Sequence, residues 1–329
     1  MGVILVADPY LDSPPVARQP TGRTALGYGL VVAAVTMWSL NASLARFLLD
    51  DGLSAMRLSE LRSAGAFLIL LLVLAVLRPP GVRIRREEVA ELAFLGIAGL
   101  AAVYVTYFVA IERLQIGVAL TLEYLAPLFL LLWLRFFHRR RLSAALWGAV
   151  ALSLAGCVLV VRAYDPGSLD TLGIVAGVGA GISFAIYLGG SERAGRRHAP
   201  HVTLFWAFGF ATLFWLCVQP PWSFPFEQLG SAEDALLALA VIVVGTLLPF
   251  GAMVAALRHV PAARAAVVAT LEPALSALFA LLIHDESLAA TQVGGIFVVL
   301  AAVAWVQLQR PDLAAESLGP ELPPAAERH

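Results

Sequence analysis

Two glutamates carry the chemistry that this chain can perform in apolar surroundings. Glu123 stands in the stretch Gly117-Val118-Ala119-Leu120-Thr121-Leu122-Glu123-Tyr124-Leu125-Ala126-Pro127, and Glu272 in Leu271-Glu272-Pro273. Both lie inside long apolar runs, where an ionisable side chain is costly and marks a site or a pathway. A carboxyl group held there can take up and release a proton, or it can hold the ammonium group of a bound molecule. Counted back by 146 residues, Glu272 corresponds to position 126, about one helical turn from Glu123 and on the same face. Each half of the chain therefore aims one carboxylate from equivalent helices. The purely structural alternative is a protonated glutamate bonded to a neighbouring helix.

Prolines and polar aromatics surround these acids. Pro127, Pro273 and Pro249 have no N–H to donate, which frees the carbonyls of Glu123, Ala269 and Gly245. Freed carbonyls at membrane depth need partners, and breaks at equivalent places in two related halves point to a binding site; a kink serving only packing is the alternative. Trp38 and Asn41 lie one turn apart, Tyr104 and Tyr107 share a helix face, and Tyr124 adjoins Glu123. Shifted by 146, Trp38 becomes Phe184, Asn41 becomes Tyr187, Tyr104 becomes Phe250 and Tyr107 becomes Met253. Asn41, Tyr104, Tyr107, Glu123, Tyr187 and Glu272, with Trp38 and Tyr124, are the expected lining of a central cavity. Glu60, flanked by Arg57 and Arg62 near a span end, reads as an interfacial ion-paired residue. Tyr28, Trp133 and Trp305 read as interfacial anchors.

Other chemistries find little support. The 6 His residues fall in loops, helix ends or the tail, so no midplane metal site is expected. Cys157 and Cys217 lie in apolar spans, outside any disulfide framework or metal-ligand spacing. The chain has no Lys to complete a phosphate-binding loop, and no Ser lies near a His within the spans. Neither an enzyme nor a cofactor is expected.

The elements that position these residues are membrane helices. The chain is 60% hydrophobic and 14% charged, with a mean hydropathy of +0.83; a soluble protein is about 25% charged. The apolar residues fall in ten runs, at about 27–49, 56–77, 89–111, 116–137, 142–161, 172–190, 202–218, 235–257, 262–283 and 289–307, each long enough for about 30 Å of hydrocarbon. Residues 27–148 and 173–294 repeat: Leu26-Gly27 recurs as Leu172-Gly173, Ala110 as Ala256, Pro127 as Pro273, Leu142 as Leu288 and Gly148 as Gly294. Five spans per copy force the second copy to enter from the opposite side, and loop charge inverts with it. Arg139-Arg140-Arg141 corresponds to Asp285-Glu286-Ser287, and the basic 78–86 loop to the acidic stretch around Glu227, Glu233 and Asp234. The expected fold is an all-α membrane protein of ten transmembrane helices in two inverted five-helix repeats, at 26–162 and 172–308. Disordered tails are expected at 1–25 and 309–329. All 22 basic residues are Arg, and only Arg46, Arg57, Arg62, Arg113 and Arg162 fall on the outer side if both termini are cytoplasmic. A net charge of −1 without a basic stripe argues against a nucleic-acid partner.

These residues resemble the drug/metabolite transporter superfamily, in its ten-helix EamA-type branch. The resemblance rests on the Leu-Gly starts of spans one and six, on Ala256-Leu257-Arg258-His259-Val260-Pro261, and on Leu271-Glu272-Pro273 with Leu288 and Gly294. Within that branch the chain is most similar to the threonine/homoserine exporter type. The segment 117–127, Phe184-Ala185-Ile186-Tyr187 with Glu192-Arg193-Ala194-Gly195, and Leu248-Pro249-Phe250 carry that likeness. It departs in Arg139–Arg141, where an acid is usual, and in Phe184, where Trp is common. The resemblance implies a multi-pass plasma-membrane carrier that exports small amino acids or related metabolites in exchange for protons, with a homodimer as one assembly. Two other readings stand beside it: the same fold carrying cationic drugs, nucleobases or other metabolites, and a non-transporting membrane scaffold, against which the inverted repeat argues.

Overall fold

Ser54, Ser143, Asp170 and Ser231 each stand just ahead of an apolar run, and each caps the helix that follows. Their side-chain oxygens accept from the backbone N–H of Arg57 (3.2 Å), Leu146 (3.2 Å), Gly173 (2.8 Å) and Asp234 (3.0 Å). Each cap stabilises its helix by about 1 kcal/mol. The computed structural model describes residues 21–79, 81–114, 116–164, 170–284, 288–309 and Glu316. The rest of both tails and Asp285-Glu286-Ser287, the acidic side of one expected charge swap, lie outside the described residues.

The apolar runs are helical, with short interruptions in spans four and nine, and the described residues contain no strand. Spans one and two are α1 (Thr21–Asp50) and α2 (Ala55–Leu77). Span three is α3 (Arg86–Phe94), a π-helical segment Leu95–Ala101 and α4 (Ala102–Arg113); span four is α5 (Ile116–Glu123) and α6 (Ala126–Phe136). Span five is α7 (Ala144–Val160), 17 residues long. The second repeat follows the same plan: α8 (Thr171–Gly195), α9 (Pro200–Val218), then α10 (Ala232–Ile242), a π-helical segment Val243–Leu247 and α11 (Leu248–Ala256). Span nine is α12 (Ala262–Ala269) and α13 (Leu271–His284), and span ten is α14 (Ala290–Leu308). With ten crossings, Thr21 and Leu308 lie on one side of the bundle, the terminus side.

Two ends differ from expectation. Helix α1 starts at Thr21 rather than near 27, because nothing after Pro20 stops a helix. Helix α8 runs past Gly189-Gly190 to Gly195, its last turns braced by an Arg196–Glu192 ion pair of 2.8 Å. Glu192 is thereby a further buried acid; its other oxygen accepts from the Ala262 N–H at 2.9 Å and caps α12. Tyr28 corrects a second expectation: it is buried beside Arg264, not set at the lipid interface. Trp133 and Trp305 are 46% and 41% exposed, as anchors in contact with lipid would be.

Small residues hold the halves together, as expected where lipid removes the hydrophobic drive for helix pairing. The first helix of each repeat inserts into the other half: α1 packs on α11, α12 and α13, and α8 on α4, α5 and α6. A Cβ on Gly27 would come within 2.5 Å of Val260 Cγ2, and one on its counterpart Gly173 within 2.7 Å of Leu114 Cγ. Equivalent helices also pair directly, α2 with α9 and α7 with α14. At the α7–α14 contact, a Cβ on Gly156 would lie 2.9 Å from the Val299 nitrogen.

Candidate functional site

The two helix breaks occur at equivalent places. Span four is interrupted at Tyr124-Leu125 and span nine at Thr270, which is Tyr124 shifted by one repeat. Glu123 is the last residue of α5, and Glu272 lies in the first turn of α13. A carboxylate suits a helix N-terminus, where unpaired N–H groups give a partial positive charge. Pro127 and Pro273 sit in the first turns of α6 and α13, where a missing N–H breaks no bond. The Leu122 and Glu123 carbonyls face Gly181 of α8, where a Cβ would stand 2.6 Å from the first and 3.2 Å from the second. Ser39 Oγ lies 3.1 Å from the Glu272 carbonyl and 2.8 Å from that of Val35.

Glu123 and Glu272 stand at the equivalent helix breaks of opposite halves. The charge of Glu272 reaches Glu123, and both side chains are half-buried. The Tyr124 hydroxyl lies within hydrogen-bonding reach of the Glu272 carboxylate. Tyr104 and Tyr107 feel the charge of both acids. These five residues form one polar group.

Trp38, Tyr187 and Asn41 form a neighbouring group of different character. Trp38 meets Phe250 edge-on at 5.0 Å and Phe184 at 6.3 Å, while Tyr187 stacks on Phe184 at 6.1 Å and meets Phe250 at 5.1 Å. Trp38 Nε1 and Asn41 Oδ1 are buried without a hydrogen-bond partner among the described residues. The Tyr187 hydroxyl is likewise buried without a hydrogen-bond partner among the described residues, with Tyr104 and Ser191 nearby. The π-helical segments explain this placement. They present Gly99 and Gly245, equivalents under the repeat, to the opposite half. A Cβ on Gly99 would lie 3.1 Å from Tyr187 Cα, and one on Gly245 1.8 Å from Asn41 Oδ1. Asn41 and Tyr187 are themselves repeat equivalents, so each first helix lays its polar residue on the partner's glycine.

Sequence reasoning missed Arg62. It donates from Nε to Thr246 Oγ1 at 2.8 Å and from Nη2 to the Gly245 carbonyl at 3.1 Å, the carbonyl that Pro249 leaves free. Its guanidinium lies 4.9 Å from the Tyr104 ring centre, and its charge reaches Glu272. Arg57, three residues before Glu60, takes that acid at 2.6 Å. Arg62, two residues beyond Glu60, points to the far side of the helix. That angular difference was the available signal. Grooves of about 430 and 350 Å³ lie elsewhere, the first lined by α2, residues 78–79 and 81–83 and Phe205, the second by Phe67 and α9.

Comparison with known proteins places the chain in a family. Residues 25–162 and 171–308 each match the EamA-like transporter family. The chain is 27% identical over 286 residues to the threonine/homoserine exporter RhtA of Escherichia coli (strain K12), covering 83% of this chain and 89% of that one. It is 27% identical over 239 residues to the pseudopaline exporter CntI of Pseudomonas aeruginosa (strain UCBPP-PA14), covering 71% and 81%. A solved crystal structure shares the fold at 18% identity, with a TM-score of 0.71 over 88% of this chain and 98% of that one. Matched across both repeats, this chain belongs to the EamA-like transporter family and is a multi-pass membrane transporter.

Proposed function

We propose that this protein exports small amino acids or related zwitterionic metabolites across the plasma membrane in exchange for protons, by alternating access. The observation that carries the reading is the placement of Glu123 and Glu272 at the equivalent helix breaks of the two repeats, within electrostatic range of each other. A carboxyl group in apolar surroundings can take up and release a proton. A cargo ammonium group competes for the same charge, so proton and cargo occupy the site alternately. Each repeat contributes one acid, so rocking one half against the other changes the pair's access without dismantling it. The threonine/homoserine exporter among the relatives supports amino-acid cargo. Arginine-rich loops support cytoplasmic termini.

The test is efflux from loaded proteoliposomes with and without a pH gradient. Glu123→Gln and Glu272→Gln keep side-chain volume and hydrogen bonding but cannot titrate. Each should abolish gradient-driven efflux at near wild-type abundance. Gradient stimulation persisting in both variants would overturn the coupling role. A second reading, a larger flat cargo such as a nucleobase, draws on the aromatic wall of Trp38, Phe184, Tyr187 and Phe250. Competition by nucleobases, but not amino acids, in the same vesicles would favour it.

A further inference from the structure

Arg62 sits about 10 Å inside the start of α2, a depth at which an arginine is costly unless it serves a purpose. Its neighbours account for its position but not for its charge. Thr246 and the Gly245 carbonyl, both neutral, take Nε and one N–H of Nη2. Tyr104 lies against the guanidinium. Glu60, the nearest acid in sequence, is engaged by Arg57. Among the described residues Arg62 forms no ion pair, although Glu272 is close enough for its charge to be felt. The hydrogen bonds to Thr246 and Gly245 fix where the guanidinium stands.

We propose that Arg62 receives the carboxylate of the cargo, so that the site recognises a free α-amino acid at both ends. This rests on the export reading above. The end of the guanidinium, Nη1 and the second N–H of Nη2, has no partner among the described residues and forms a planar fork suited to a carboxylate. Glu123 and Glu272 supply negative charge for the ammonium group. A zwitterion bridges the two poles and completes both, whereas an amine or amide lacking the carboxylate leaves the arginine unanswered. The Gly245 carbonyl holds the fork in place, since Pro249 has no N–H to bond it four residues on.

L-threonine and L-threoninamide separate the possibilities, since they differ in the carboxylate but share the ammonium group. Both are measured by proteoliposome efflux and by ligand-induced thermal shift of the detergent-solubilised full chain. The wild type should favour threonine by about 10-fold or more, as expected for a lost charge-assisted contact. Arg62→Gln should bring the ratio near unity by losing threonine while keeping the amide, with Arg62→Lys between. Equal loss of both ligands in Arg62→Gln, or no wild-type preference, would overturn the proposal. The wild-type comparison keeps this decision available if the variants do not fold. Preferential threonine binding without efflux would sink the export reading and leave the carboxylate receptor standing. Efflux of both ligands at equal rates would do the reverse.

Discussion

Asn41 separates a cargo-binding role from a structural one. Its Oδ1 is buried, makes no hydrogen bond among the described residues and presses on Gly245. Removing a polar atom without a partner forfeits little stability, so Asn41→Ala should change the unfolding free energy by less than about 1 kcal/mol. If cargo satisfies that oxygen, the efflux KM should rise by about tenfold, the equivalent of one hydrogen bond. A fall in stability with unchanged KM would assign Asn41 to packing. Both glutamates were legible as candidates, because an acid within an apolar run is too costly to persist there without a role. Arg62 was not, because its value depends on Thr246 and Gly245, 184 and 183 residues away along the chain.

At the scale of elements, prolines marked the breaks in spans four and nine, since the missing N–H is a property of the residue itself. The π-helical segments carry no such local mark. Only the second has a nearby proline, Pro249, and both place a glycine against the opposite half. Their cause is tertiary: the extra residue per turn brings Gly99 and Gly245 to Tyr187 and Asn41. Close contact also makes the α7–α14 pair sensitive. A side chain on Gly156 meets the Val299 backbone and the Gly295 carbonyl, which cannot move aside as a rotamer would. Gly156→Val should therefore cost about 1–3 kcal/mol through overpacking, read as a lower unfolding temperature in detergent. Gly29, which has open space around it, is the control position and should tolerate Val.

For the whole molecule, the arginine distribution predicts sidedness. Reporter fusions at Arg140 and Gln228 should report opposite compartments, Arg140 cytoplasmic. Both on one side would overturn the inverted arrangement in the membrane. The C-terminal segment departs from the expected disordered tail at one point. Glu316 is helical and buried, paired with Arg264 through Nε and Nη2, and Arg264 Nη1 also donates to the Val306 and Gln309 carbonyls at 2.7 Å. Removing one partner strands the other charge, so Glu316→Ala should destabilise the protein by about 3 kcal/mol. Arg264→Met in the same chain should recover part of the loss. Unchanged thermal unfolding in Glu316→Ala would show that the tail contact carries no stability.

The number of crossings, the inverted repeat and the membrane location follow from the sequence alone, because hydropathy and spacing are additive along the chain. The candidate acids follow for the same reason: burial in an apolar run is a local fact. Tertiary structure decided which groups meet. It set Glu123 within electrostatic range of Glu272 across the repeat boundary, turned Tyr28 inward onto Arg264, buried Glu192 as a helix cap, and set Arg62 apart from Glu60. Such pairings depend on the rotation of each helix about its axis. That rotation is set by small-residue contacts between the two halves, as at Gly27, Gly173, Gly99 and Gly245.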